Sequence, residues 1–111
     1  VLFYFNETRI KEESFPLLDA VVKVLKDNPR ITKVRVEGHT DERGAANYNR
    51  KLSDGRAKAV MDYLTGHGIE AARLTSKGYG EDKPLIKGAQ TEADHQANRR
   101  VEFTILEQKA D

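Results

Sequence analysis

Two oppositely charged residues define what this chain can do chemically. Asp41 lies in the run His39-Thr40-Asp41-Glu42-Arg43-Gly44, and Arg56 follows 15 positions later. A carboxylate and a guanidinium held apart can grip both ends of a zwitterionic amino-acid ligand. Held together, with Asp41 or Glu37 meeting Arg56, they form a structural ion pair and bind nothing. On a helical wheel of residues 47–67, at about 100° per residue, Leu52, Ala59, Val60, Tyr63 and Leu64 fall on one side. Lys51, Asp54, Lys58, Asp62 and Thr65 fall on the other. Arg56 lies within the apolar arc, and Asn49 shares that arc two turns earlier. Both stand near the helix N-terminus, where free N–H groups and the dipole favour an anion. The loop bearing Asp41 enters the same end.

Other constellations are weaker. His39 and His95 with Asp41 and Glu92 can be drawn as a metal site, but His-x-Asp is a short pattern, and no cofactor or metal is expected. His39 is expected to hydrogen-bond within its loop. Ser53 and His67 stand roughly 20 Å apart along a helix, too far to act as nucleophile and base. Gly78-Tyr79-Gly80 lacks the Lys-Ser/Thr of a phosphate loop, so Tyr79 reads as packing. Asn98-Arg99-Arg100 is a basic cluster of the kind usually solvated, from which one side chain could reach the pocket rim.

Those residues need a scaffold, and the composition supports one domain. The 111 residues are 38% hydrophobic and 33% charged, with net charge +1. That balance gives no drive toward nucleic acid or anionic membranes. No apolar run approaches the ~18 residues of a membrane span. There are no cysteines, which excludes disulfides and thiolate metal sites. The chain opens directly on a strand-like segment. It therefore reads as a single domain, 1–111, cut from the C-terminal part of a longer protein, any signal or membrane anchor lying outside it.

The pattern reads β-α-β-α-β-(short α)-β. Residues 1–5 form a compact apolar strand candidate. From Ser14, Leu18, Val21, Val22 and Leu25 recur at helical spacing, with Pro16 in the first turn and Asn28-Pro29 ending the helix. Residues 33–37 alternate, Val34 and Val36 inward, as a strand with one wet face. A polar loop spans 38–46, the second helix 47–67, and a third strand 74–79. Residues 80–90 form a loop, 92–98 a short helix, and Val101, Phe103 and Ile105 mark the last strand. The fold class expected is α/β (α+β): a two-layer sandwich with a four-stranded mixed sheet and its helices on one face.

Read together, Gly38-His39-Thr40-Asp41-Glu42-Arg43-Gly44, Tyr48-Asn49, Leu52-Ser53, Arg56-Ala57 and Val60 resemble the signature of the OmpA-like peptidoglycan-binding domain. Residues 78–84 and 98–102 match its later segments, and Phe3-Tyr4-Phe5-Asn6 its first strand. The wording is closest to peptidoglycan-associated lipoproteins, in a family that also holds porin tails and flagellar stator proteins. The resemblance covers nearly the whole chain. It implies a non-catalytic clamp on the peptide stem of peptidoglycan, centred on diaminopimelate. By position, Asp41 would take the ammonium, Arg56 a carboxylate and Asn49 a hydrogen bond, with Thr40 and backbone groups near Asn6 and Leu52 completing the pocket. It also implies a periplasmic location at the outer membrane of a Gram-negative bacterium, and contact with a Tol-system periplasmic protein. Two other functions remain open: a protein-interaction domain with a structural Asp41–Arg56 pair, and a metal-dependent hydrolase using His39 and Asp41. Gly55 departs from the family pattern and weakens the second helix by about 1 kcal/mol relative to Ala.

Overall fold

The computed structural model describes residues 1–110. Helix α1 (Phe15–Asp27) carries Pro16 in its first turn and buries Leu18, Val22 and Leu25. A 3-10 turn (Glu12–Ser14) leads into it. Strand β1 (Ile31–His39) follows, then the long α2 (Ala46–Gly66), β2 (Leu74–Gly80), the short α3 (Glu92–Asn98) and β3 (Arg100–Gln108). The sheet runs β2-β1-β3, with β1 parallel to β2 and antiparallel to β3.

The two-layer α+β arrangement is the expected one, but the sheet has three strands and not four. Residues 1–5 do not join it. The arm folds back on its own continuation: Tyr4 N–H donates to Arg9 O, Lys11 N–H to Leu2 O and Glu7 N–H to Tyr4 O. Asn6 turns the corner at φ 56°, a left-handed conformation that Asn tolerates better than most residues. Its one ladder contact outside the named strands is the bridge Phe3–Ile10. The β-prone composition is real; the pairing partner is local.

Alternation along β1 sends Val34 and Val36 into the core, at 3% and 0% exposure, beneath α1 and α2. The core between these layers adds Ala57, Val60, Leu64, Ile69 and Leu74. Arg35, Glu37 and His39 point to the opposite face. There Arg35 Nε donates to Glu37 at 2.7 Å, and His39 stacks on Tyr79 with ring centroids 5.3 Å apart. Tyr79 thus packs, as the sequence suggests.

Helix α2 lies unusually close to the sheet, and two glycines permit it. A Cβ on Gly38 would stand 2.4 Å from the Ser53 carbonyl oxygen, and one on Gly78 2.2 Å from the Asp54 nitrogen. Ser53 Oγ then accepts from Gly80 N–H at 2.9 Å, and Asp54 Oδ1 accepts from Gly78 N–H at 2.6 Å. The buried residues of α2 are therefore Asn49, Ser53, Ala57, Val60 and Leu64. Small side chains occupy the close approach, so the buried stripe is rotated from the arc centred on Arg56. Leu52 and Arg56 are half-buried, and Arg56 reaches the N-terminal arm.

Candidate functional site

The C-terminal end of β1 presents Asp41. Thr40 N–H donates to Gly80 O at 2.8 Å, tying the ends of β1 and β2 together. Thr40 Oγ1 donates to Asp41 O at 2.9 Å. Gly44, at φ 93°, makes the left-handed turn that brings the loop into α2. Asn49, only 5% exposed, donates from Nδ2 to Arg43 O at 3.0 Å and to Asp41 O at 3.4 Å. Asn49 and Thr40 thus brace the loop from both sides.

Asp41 is 7% exposed and ringed by donors. Oδ1 accepts from Arg43 N–H at 2.9 Å. Oδ2 accepts from the Arg43 guanidinium at 2.9 Å and from Arg99 at 2.6 Å. Burial pushes this carboxyl up, but hydrogen bonds from Arg43 and Arg99 outweigh it and bring it down to about 2. Arg99 is delivered by α3, whose N-terminus closes with a capping box between Thr91 and Asp94. At its other end Asn98, 2% exposed, clamps Ile86 through both its backbone N–H and its carbonyl. Glu92 opens α3 and accepts from Arg99 at 2.5 Å, with the Arg43 amino group 3.2 Å away.

Arg56 has a different environment. Nε donates to Glu7 O at 2.9 Å and Nη2 to Tyr4 O at 3.4 Å. Its guanidinium carbon lies 4.8 Å from the Phe3 ring centroid, within cation–π range. Among the described residues no carboxylate pairs with it. Burial pushes its pKa down from the ordinary arginine value. The proposed structural Asp41–Arg56 pair is therefore not formed, because nearer arginines satisfy Asp41 and arm carbonyls meet Arg56. Gly55 has a packing role here: a Cβ would stand 2.6 Å from Thr8 Cγ2, so the glycine lets the arm lie against α2.

Asp41 and Arg56 line a single cleft of about 890 Å3, shared with Thr40, Asn49, Leu52 and Asn6. All six residues singled out from the sequence meet there. Arg43, Glu92 and Arg99 also line it and are not among those six; from the basic cluster both Arg99 and Arg100 reach the cleft, not one side chain alone. Phe3 and Tyr48 add apolar wall.

A profile of the OmpA family matches residues 2–99. The chain belongs to the OmpA family. Over 101 residues it is 43% identical to the peptidoglycan-associated lipoprotein of Pasteurella multocida, covering 91% of this chain and 66% of that protein. The crystal structure of the peptidoglycan-associated lipoprotein from Burkholderia pseudomallei superposes with TM-score 0.83 at 32% identity, over 94% of this chain and 86% of that one. The cell wall anchor of the type VI secretion system (T6SS) from Pseudomonas aeruginosa gives TM-score 0.83 at 32% identity, over 96% and 76%. The chain spans 12% to 66% of the length of its curated relatives, so this OmpA-family domain recurs within proteins of very different size.

His39 does not behave as a loop residue. It ends β1, with Nε2 3.3 Å from Glu102 Oε2, but neither ring nitrogen makes a well-aligned hydrogen bond. Glu37, His39 and Glu102 place possible ligand atoms within 4.8 Å of one another, a different set from His39, His95, Asp41 and Glu92. Both carboxylates are already engaged: Glu37 by Arg35 and Thr104, Glu102 by Arg100. Burial pushes the His39 pKa down, with the charge of Arg100 adding to the effect.

Proposed function

We propose that this domain binds peptidoglycan without catalysis, through the diaminopimelate residue of the stem peptide. It would thereby fasten its parent protein to the cell wall from the periplasmic side of a Gram-negative outer membrane. The observation that carries the reading is the separation of charge in one cleft. A buried carboxylate stands at one pole and an arginine without an acidic partner at the other. Diaminopimelate carries an ammonium and a carboxylate on its side-chain end, so it complements both poles. Asp41 would receive the ammonium and Arg56 the carboxylate. The backbone near Asn6 and the wall at Leu52 would flank the ligand, while Asn49 and Thr40 hold the loop in register.

The energetics suit a tether. A hydrogen bond to an ionised group contributes roughly 1.5–3 kcal/mol, and association costs several kcal/mol in lost freedom. Single contacts are therefore modest, and a repeating polymer met by many copies gains hold through avidity. A metal-dependent hydrolase at His39 and Asp41 is not favoured: both Asp41 oxygens are taken by Arg43 and Arg99, and the His39 ring stacks on Tyr79.

The test is a calorimetric titration with a diaminopimelate stem peptide and with its lysine counterpart, which lacks the second carboxylate. Binding of the first and much weaker binding of the second is expected, since only the first presents a partner for Arg56. Equal affinities would sink the assignment. A Tol-system periplasmic protein is the second partner consistent with the resemblance. Titrating such a protein into the peptide complex separates a surface beyond the cleft from competition within it.

A further inference from the structure

The anionic pole of the cleft is occupied by the protein itself. Asp41 Oδ2 already receives Arg43 and Arg99, and Oδ1 receives the Arg43 backbone. An incoming ammonium must displace one of these donors or share a saturated carboxylate. The two arginines are not equally easy to move. Arg99 is one-third exposed and spans Asp41 at 2.6 Å and Glu92 at 2.5 Å. Arg43 is half-exposed, and its Nη2 lies 2.9 Å from Asp41 Oδ2 and 3.2 Å from a Glu92 oxygen. One amino group thus touches both acids, and a small rotation moves it wholly to Glu92. The loop does not depend on this side chain, because the Arg43 N–H holds Asp41 Oδ1 and Asn49 holds the Arg43 carbonyl.

We propose that Arg43 is a resident stand-in for the ligand's ammonium, and that binding is an exchange in which Arg43 leaves Asp41 for Glu92 while Arg99 stays. This rests on the reading of Asp41 as the ammonium receptor. The exchange keeps the carboxylate neutralised throughout, so the ligand need not meet a bare buried charge. Arg43 then sets how strongly a competing amine must bind, which makes it a specificity-determining residue whose removal tightens binding.

The experiment is calorimetry with a soluble meso-diaminopimelate stem peptide and the same peptide acetylated on the diaminopimelate side-chain amine. Wild type, Arg43→Ala, Glu92→Gln and the double variant are compared, with folding checked by NMR. With no side chain left to compete for Asp41 Oδ2, Arg43→Ala should bind the amine-bearing peptide severalfold more tightly. The acetylated peptide should gain nothing. Glu92→Gln should weaken binding by removing the landing place, and that loss should vanish in the double variant, a non-additivity that a purely structural role would not produce. Unchanged or weaker binding by folded Arg43→Ala, with wild type still preferring the amine-bearing peptide, overturns the exchange and leaves the binding reading intact. Wild type binding both peptides equally overturns both.

Discussion

The two poles of the cleft solve opposite problems. Asp41 is buried more deeply, yet it is saturated by two guanidinium groups and a backbone N–H. Arg56 is half-buried and meets carbonyl oxygens and an aromatic ring, with no countercharge among the described residues. Carbonyl dipoles receive its Nε and one Nη2 hydrogen but do not cancel its charge, and burial already disfavours the charged form. A ligand carboxylate therefore adds something new at Arg56, whereas a ligand ammonium replaces something old at Asp41. The cleft gains its affinity at one end and tests its ligand at the other.

Removing the Arg56 charge should have the largest effect. Arg56→Ala should lower affinity for the diaminopimelate peptide roughly 10- to 100-fold, the range for one charge-assisted hydrogen bond. Arg56→Lys should recover only part, because a point charge lacks the planar fork. Calorimetry on variants shown to be folded by circular dichroism checks both, and a loss smaller than that of Asp41→Asn would reverse the comparison.

Asp41→Asn should cost about tenfold in affinity, since an exchanged contact is worth less than a new one, and it should also cost stability. The carboxyl is held down at about 2 against an ordinary 3.8, which is worth about 2 kcal/mol at neutral pH. Because the folded pKa is the lower one, that contribution is complete above the unfolded value and is lost as pH falls through about 2. Chemical denaturation of wild type and Asp41→Asn should therefore show a constant gap above pH 5 that closes toward pH 2.

The smallest effect belongs to His39, which borders the cleft but whose buried ring stacks on Tyr79. His39 is kept neutral by burial, so the unfolded chain takes up a proton first. Stability should then fall as pH drops below about 6.5. His39→Gln should flatten part of that slope in thermal melts between pH 7 and 5, while changing peptide affinity at pH 7 less than either cleft variant does.

Much of this is legible in the sequence, for particular reasons. Leu18, Val22 and Leu25 announce α1 because burial on one stripe imposes helical spacing. Arg56 stood out because an arginine among apolar positions demands a reason. The exact stripe of α2 was harder: Ser53 and Ala57 give almost no hydropathy signal, and they are buried because Gly38 and Gly78 let backbones touch. The arm misled because Val1 to Phe5 has strand chemistry, and nothing local says which edge such a segment will pair with. Arg43, Glu92 and Arg99 were hidden for a different reason. Loop charges look alike in sequence whether they are solvated or converge, and 58 positions separate Asp41 from Arg99.

Gly38 and Ser53 touch at the point where sheet and helix come closest. Asp41 lies three residues beyond the first and Arg56 three beyond the second. The contact is thus the fulcrum of a pair of calipers whose tips are the two charges. With hydrogen as the only side chain at 38, the calipers stand at their narrowest setting. A methyl group there would lift α2 and spread the tips, changing the length of molecule they measure without altering a single residue that touches it.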